Sequence, residues 1–292
     1  MKKYPLILFF SLTFLICWGM GALYFLAGDA LTQIFGEVSH RHPLFMLAVY
    51  APFLSALITT AAVSGKKGIA GLFRRIVHWR VGAGWYLAIA AFFAFMFCTI
   101  RVVNCLSGSP VPEITFSWQQ APILLLSLLI TDPGPIGEEA GWRGFALPRI
   151  QRRLSPVAAG LALGAVWGVW HLPAFFVSGL GHSIPELASF FIQIVPLSLL
   201  MTLVYNATGG SILVAIIIHW LGNAGGAMNF FYFNNSSNII CGIFYLSASF
   251  LLFTCGRAGL IGSEPLTDQA GVYTGQYGTV TEDIQNTISP TH

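Results

Sequence analysis

Eight stretches of this chain are apolar for long enough to cross about 30 Å of hydrocarbon, a requirement that excludes most folds at the outset. They lie near residues 5–28, 43–63, 83–104, 119–150, 156–178, 187–206, 211–231 and 238–256. Inside a bilayer the backbone has no water to bond, so each stretch must close its own hydrogen bonds as a helix. The expected fold class is all-α: a polytopic integral membrane protein with about eight transmembrane helices within residues 1–256. Of the 292 residues, 55% are hydrophobic and 9% charged, against about 25% charged in an ordinary soluble domain.

Basic residues orient such a chain, because Lys and Arg concentrate in cytoplasmic loops. With eight spans, all of the 14 basic residues except Arg41, Arg101 and Arg143 fall on one side, which predicts that both termini are cytoplasmic. The N-terminal segment starts like a signal peptide, with Lys2 and Lys3, but its apolar run exceeds twenty residues. That length predicts a retained first helix. Residues 257–292 are polar and rich in Gly and Thr, and are expected to form a disordered cytoplasmic tail. The net charge of +3 is spread over short loops, so nucleic acid is excluded as a partner. Cys17, Cys98, Cys105, Cys241 and Cys255 show no CxxC spacing, and read as packing residues.

Against this background the stretch 137–150, GEEAGWRGFALPRI, stands out because it puts Glu138, Glu139 and Arg143 together. A charge at mid-membrane costs roughly 2.5–3.5 kcal/mol on insertion scales unless it is paired or hydrated. Glu139 and Arg143 are i and i+4 and can pair on a helix, which leaves Glu138 with less compensation. A carboxylate desolvated in this way suits a general base. The plainer alternative is a cytoplasmic helix end whose Glu139–Arg143 pair holds helices together. Just upstream, Pro133, Gly134 and Pro135 should break the helix, so that 119–131 is a half-helix feeding a second one from about 136.

Two further stretches bear on the choice. WGVWHLPAFF places His171 in an aromatic helix, and SILVAIIIHWLGNAGG places His219 and Asn223 one turn apart on one helical face. Counting about 1.5 Å per residue from the cytoplasmic ends, Glu138, His171, Asn223 and His219 lie at depths of about 19, 21, 18 and 12 Å. Polar groups from three helices at roughly one level suit water activation: the carboxylate takes a proton from water, a histidine orients that water or protonates the leaving amine, and a His/Asn pair donates to an oxyanion. Glu138, His171 and His219 equally suit a His₂Glu zinc set. No HExxH or GxSxG occurs.

These residues resemble the CPBP (CAAX protease and bacteriocin-processing, or Abi) intramembrane proteases, to which the Rce1-type prenyl-protein endopeptidases belong. That family is marked by EExxxR, FxxxH and HxxxN/D, in order, on separate helices of an eight-helix core. EEAGWR supplies Glu138, Glu139 and Arg143, and HWLGN supplies His219 and Asn223. WGVWH keeps His171 but carries Trp167 where phenylalanine is usual, an aromatic exchange expected to preserve packing. The resemblance implies an intramembrane glutamic endopeptidase of a prokaryotic inner membrane, acting on a membrane-associated protein or peptide, lipidated or not. Glu138 and His171 would activate water, His219 and Asn223 would form the oxyanion site, and Glu139 and Arg143 would support them. No metal is assigned, although zinc stays open. Two readings of other classes compete: a non-catalytic scaffold or bacteriocin-immunity-type protein, and a proton-coupled transporter with a Glu/His relay.

Overall fold

The computed structural model describes residues 4–39, 42–177 and 183–259; the expected tail beyond residue 259 lies outside them. Helices make up the described chain, with no strand among the described residues. In order they are α1 (Pro5–Phe35), α2 (Pro43–Val49), α3 (Ala51–Ile76), α4 (Ala83–Leu106), α5 (Ala121–Thr131), α6 (Gly134–Gly141), α7 (Leu147–Ile150), α8 (Pro156–Trp170), α9 (Leu187–Ala207), α10 (Ile212–Ala227) and α11 (Asn235–Arg257).

The chain is an integral membrane protein, yet its eight apolar stretches are not eight uniform spans. Among the described residues four helices are long and apolar enough to cross a bilayer: α1, α4, α9 with its preceding turn, and α11. The pair α2–α3, bent by 54°, makes a fifth if taken as one broken span. Pro52 accounts for the bend, because a residue without an N–H in the first turn of α3 cannot continue the ladder of α2. The remaining stretches hold α5, α8 and α10, with 11, 15 and 16 residues. At about 1.5 Å per residue they fall short of a full crossing, and length alone does not carry the count of eight.

The break in the fourth stretch forms where the prolines require it. A residue before proline is pushed out of the helical region, and Asp132, before Pro133, is extended at φ −94°, ψ 108°. Helix α6 then starts at Gly134, two residues earlier than expected from sequence, because the Asp132 side chain accepts from the Gly134 N–H at 3.0 Å. Every residue from 137 to 149 is buried, so this second half-helix is enclosed by protein, chiefly by α3 and α10.

Between α6 and α7 the backbone widens into a π-helical turn, Trp142–Ala146. Its cause is local. Pro148 has no N–H for the carbonyl of Gly144 and its ring would crowd that carbonyl in a regular α-helix. Arg75 of α3 supplies the missing donor, its Nη2 reaching the Gly144 carbonyl at 2.7 Å while Nη1 reaches the Tyr205 hydroxyl of α9 at 2.8 Å.

Helix α8 stacks on α9, and α9 on α11, by close backbone approach. A Cβ at Gly164 would fall 2.9 Å from the Val195 Cα, and one at Gly160 would fall 3.0 Å from the Leu199 Cα. Glycines four residues apart leave the flat strip that lets membrane helices meet without large side chains between them.

Candidate active site

Four segments deliver the site: the α5–α6 break, α6 with its π turn, the end of α8, and α10. The pair expected between Glu139 and Arg143 forms, with Arg143 Nη1 donating to both carboxylate oxygens at 3.1 and 3.0 Å, and both side chains are fully buried. Glu139 also receives His219: Nδ1 lies 2.8 Å from its Oε1. An ionised carboxylate only accepts, so the Nδ1 proton belongs to this bond and Nε2 is the histidine's outward atom. Glu139 is thus the junction between the arginine and the α10 histidine, a link that the spacing of the two motifs does not show.

His171 sits elsewhere than expected. It is the residue capping the C-terminus of α8, with Leu172–Phe175 continuing as a 3₁₀ turn. Pro173 stops the helix, since its missing N–H and bulky ring end the α-helical ladder. The Nδ1 of His171 is 2.8 Å from the Trp167 carbonyl. A carbonyl can only accept, so this nitrogen donates and Nε2 is left facing Glu138, 4.0 Å from Oε2. That gap is too long for a direct hydrogen bond.

The structure adds two contacts that the sequence reading does not contain. His219 and Asn223 share a face of α10 but not a partner: Asn223 Nδ2 donates to Asp132 Oδ2 at 2.8 Å. Asp132, which no motif marks, therefore ties the start of α6 to α10 through its two oxygens. Glu138 is less bare than expected, because the Trp167 indole N–H donates to its Oε2 at 2.6 Å. The Arg143 guanidinium lies over the Trp167 ring, 4.6 Å from its centre. Packing alone does not describe this tryptophan.

Asp132, Glu138, Trp167, His171, His219 and Asn223 line one side of a cavity of about 780 Å³ bounded also by α1, α2 and α9, and Glu139 and Arg143 lie behind them. Glu138 is only 4% exposed and His219 6%, and His171 opens further to the cavity, its side chain 19% exposed. Gly134 forms the floor between them: a methyl there would lie 3.2 Å from Glu138 Oε1 and 3.4 Å from His219 Nε2. Away from the polar wall the lining is apolar and aromatic, including Met20, Phe45, Phe190 and Leu197. Such a cavity suits an apolar chain or side chain with one polar group at its end.

Among the described residues no group of three or more His, Cys, Asp or Glu side chains is arranged to hold a metal ion. Glu138 Oε2 accepts from Trp167, and the Nδ1 atoms of both histidines are bonded within the protein; a histidine held at Nδ1 presents Nε2, the atom that a metal would take.

Residues 117–225 match the family model described as Type II CAAX prenyl endopeptidase Rce1-like. Over 115 residues the chain is 35% identical to CAAX prenyl protease 2 of Methanococcus maripaludis. That alignment covers 37% of this chain and 41% of the relative, so the likeness spans less than half of either. Its Rce1-like segment contains every site residue discussed above, from Asp132 to Asn223.

Proposed function

We propose that the chain is an intramembrane endopeptidase in which Glu138 activates a water to attack a peptide bond of a membrane-associated substrate, lipidated or not. The observation that carries the reading is a buried carboxylate on one wall of a largely apolar cavity, with His171 Nε2 4.0 Å away. Glu138 takes the water's proton as the hydroxyl oxygen attacks the carbonyl carbon. His171, open to the cavity, orients that water, and Glu138 returns the proton to the leaving amine. Negative charge then gathers on the substrate's carbonyl oxygen. The Asn223 amide faces it as one donor, since Nδ2 carries a second N–H beyond the one given to Asp132. His219 is the other donor once Nε2 also holds a proton, and Glu139 is the counter-charge for that form.

The similarity of residues 117–225 to Rce1-like endopeptidases supports this assignment, as does the 35% identical CAAX prenyl protease 2. The fold leaves room for a lipidated chain beside the catalytic wall. We further place both termini on the cytoplasmic side, because basic residues crowd the loops of that face, in the inner membrane of a prokaryotic cell.

Two comparisons test the function. Full-length protein in proteoliposomes, given a farnesylated peptide ending in a Cys-aliphatic-aliphatic-X sequence, is expected to cut it, and Glu138→Ala is expected to abolish the cut. In cells, proteomes carrying wild-type protein or Glu138→Ala are expected to differ in a membrane protein cleaved only in the first. Cleavage undiminished in Glu138→Ala would refute the mechanism. A cellular phenotype that survives Glu138→Ala, His171→Ala and His219→Ala together, with the protein still accumulating, favours the scaffold reading instead.

A further inference from the structure

Trp167 touches Glu138, Arg143, His219 and His171, each through a different part of the residue. Its indole N–H donates to Glu138 Oε2 at 2.6 Å, and its ring face carries the Arg143 guanidinium at 4.6 Å. The ring meets His219 edge-on at 5.3 Å between centres, and its backbone carbonyl holds His171 Nδ1 at 2.8 Å. Trp167 as a whole is only 2% exposed. A phenylalanine, the usual residue at this place in the motif the chain resembles, offers the ring and the carbonyl but no N–H.

We propose that Trp167 is a positioning residue that pins one oxygen of Glu138 through its indole N–H and so fixes the other, Oε1, as the oxygen that takes the proton from water. A carboxylate on a flexible stem can roll about its last bond, and a water placed for attack needs one defined acceptor. With Oε2 held by the tryptophan, Oε1 faces the space over Gly134, opposite His219 Nε2. Gly134 has no Cβ to fill that space. Arg143, stacked on the ring and bonded to Glu139, holds the indole plane at the angle that aims its N–H at Glu138. The two carboxylates are thereby kept apart in function: Glu139 is consumed by Arg143 and His219, and Glu138 keeps one oxygen for the water.

This inference rests on the proteolytic reading, and its test separates the two. Trp167→Phe retains the ring in a chain that otherwise folds as before. In proteoliposomes with the farnesylated peptide, kcat is expected to fall about 10- to 100-fold, the size of one hydrogen bond to a charged group, with KM within about twofold. A kcat unchanged in Trp167→Phe, while Glu138→Ala is inactive, overturns the positioning role and leaves the proteolytic reading standing. A second arm does not depend on activity. In full-length protein labelled with ¹⁵N-tryptophan, eight indole N–H signals are expected, and the one absent from Trp167→Phe belongs to Trp167. That signal is expected at the low-field end of the set and should move upfield in Glu138→Ala while the other seven hold their positions. A Trp167 signal unmoved by Glu138→Ala overturns the inference whatever the enzyme cleaves.

Discussion

Glu139→Gln removes the counter-charge of Arg143 where neither group reaches water. Both side chains are fully buried, and the two Arg143 Nη1 contacts at 3.0 and 3.1 Å both end on Glu139. Breaking a buried pair from one side costs about 3–5 kcal/mol, because the remaining charge is stranded in a medium that solvates it poorly. Two features place this case near the lower end. The guanidinium keeps its seat over Trp167, 4.6 Å from the ring centre, a contact worth about 2 kcal/mol when desolvated, and the glutamine carbonyl still accepts one hydrogen bond. We expect a loss of about 3 kcal/mol, or roughly two powers of ten in the folded-to-unfolded ratio. Unfolding in detergent can be followed by a thiol-reactive dye at the buried Cys17 and Cys241, once the exposed Cys98 and Cys105 and the half-buried Cys255 are blocked. The double variant Glu139→Leu/Arg143→Met sharpens the test. Replacing both ions with apolar chains leaves no stranded charge, so stability should return to within about 1 kcal/mol of wild type. Cleavage should stay lost, because His219 Nδ1 no longer has the acceptor now 2.8 Å away. A single variant that loses less than about 1 kcal/mol refutes the reasoning, and so does a double variant that regains activity along with stability.

Other consequences follow from the same contacts. Asp132→Ala frees the Asn223 amide and the Gly134 N–H together; kcat for the farnesylated peptide should drop at least about tenfold, as expected for losing one oriented oxyanion donor or more, with little change in KM. Gly134→Ala adds a methyl 3.2 Å from Glu138 Oε1 and 3.4 Å from His219 Nε2, so activity should fall while the unfolding midpoint stays in place. Gly164→Leu drives a side chain into Val195 and Ser198 of α9 and should cost about 1–3 kcal/mol of stability by overpacking, read as a lower midpoint in the same dye assay.

How much of this was legible in the sequence differs from element to element. The Glu139–Arg143 pair was readable because it is local: the i, i+4 spacing on one helix suffices to make it. The α5–α6 break was equally readable, since Pro133 dictates the backbone of Asp132 regardless of what surrounds it. His171 was assigned to the right neighbourhood but to the wrong local structure, because an apolar run hides the proline two residues on that ends the helix. The links from Glu139 to His219 and from Asp132 to Asn223 join residues 80 and 91 positions apart, and only tertiary packing of α6 on α10 creates them. Asp132 nevertheless left a signal: an acidic residue beside a proline break in an apolar stretch is as costly as the glutamates that drew attention. Trp167 was treated as an aromatic packing residue because sequence conveys size and hydrophobicity, while a hydrogen bond depends on where one N–H points. The full count of spans also exceeded what pattern could give, because the short helices α5, α8 and α10 are as apolar as the full spans and differ from them in length alone.

The central claim is that Glu138 acts on water, and Glu138→Gln tests it most directly, since it keeps the shape of the side chain and an oxygen for Trp167 while removing the base. The measurement is kcat for the farnesylated peptide in proteoliposomes, alongside the unfolding midpoint of the same preparation. The account predicts a fall of at least about 100-fold, as expected when a general base is removed, with the midpoint and KM retained. A Glu138→Gln protein that unfolds at the wild-type temperature and cleaves within about threefold of the wild-type rate, far less than such a base contributes, would contradict it.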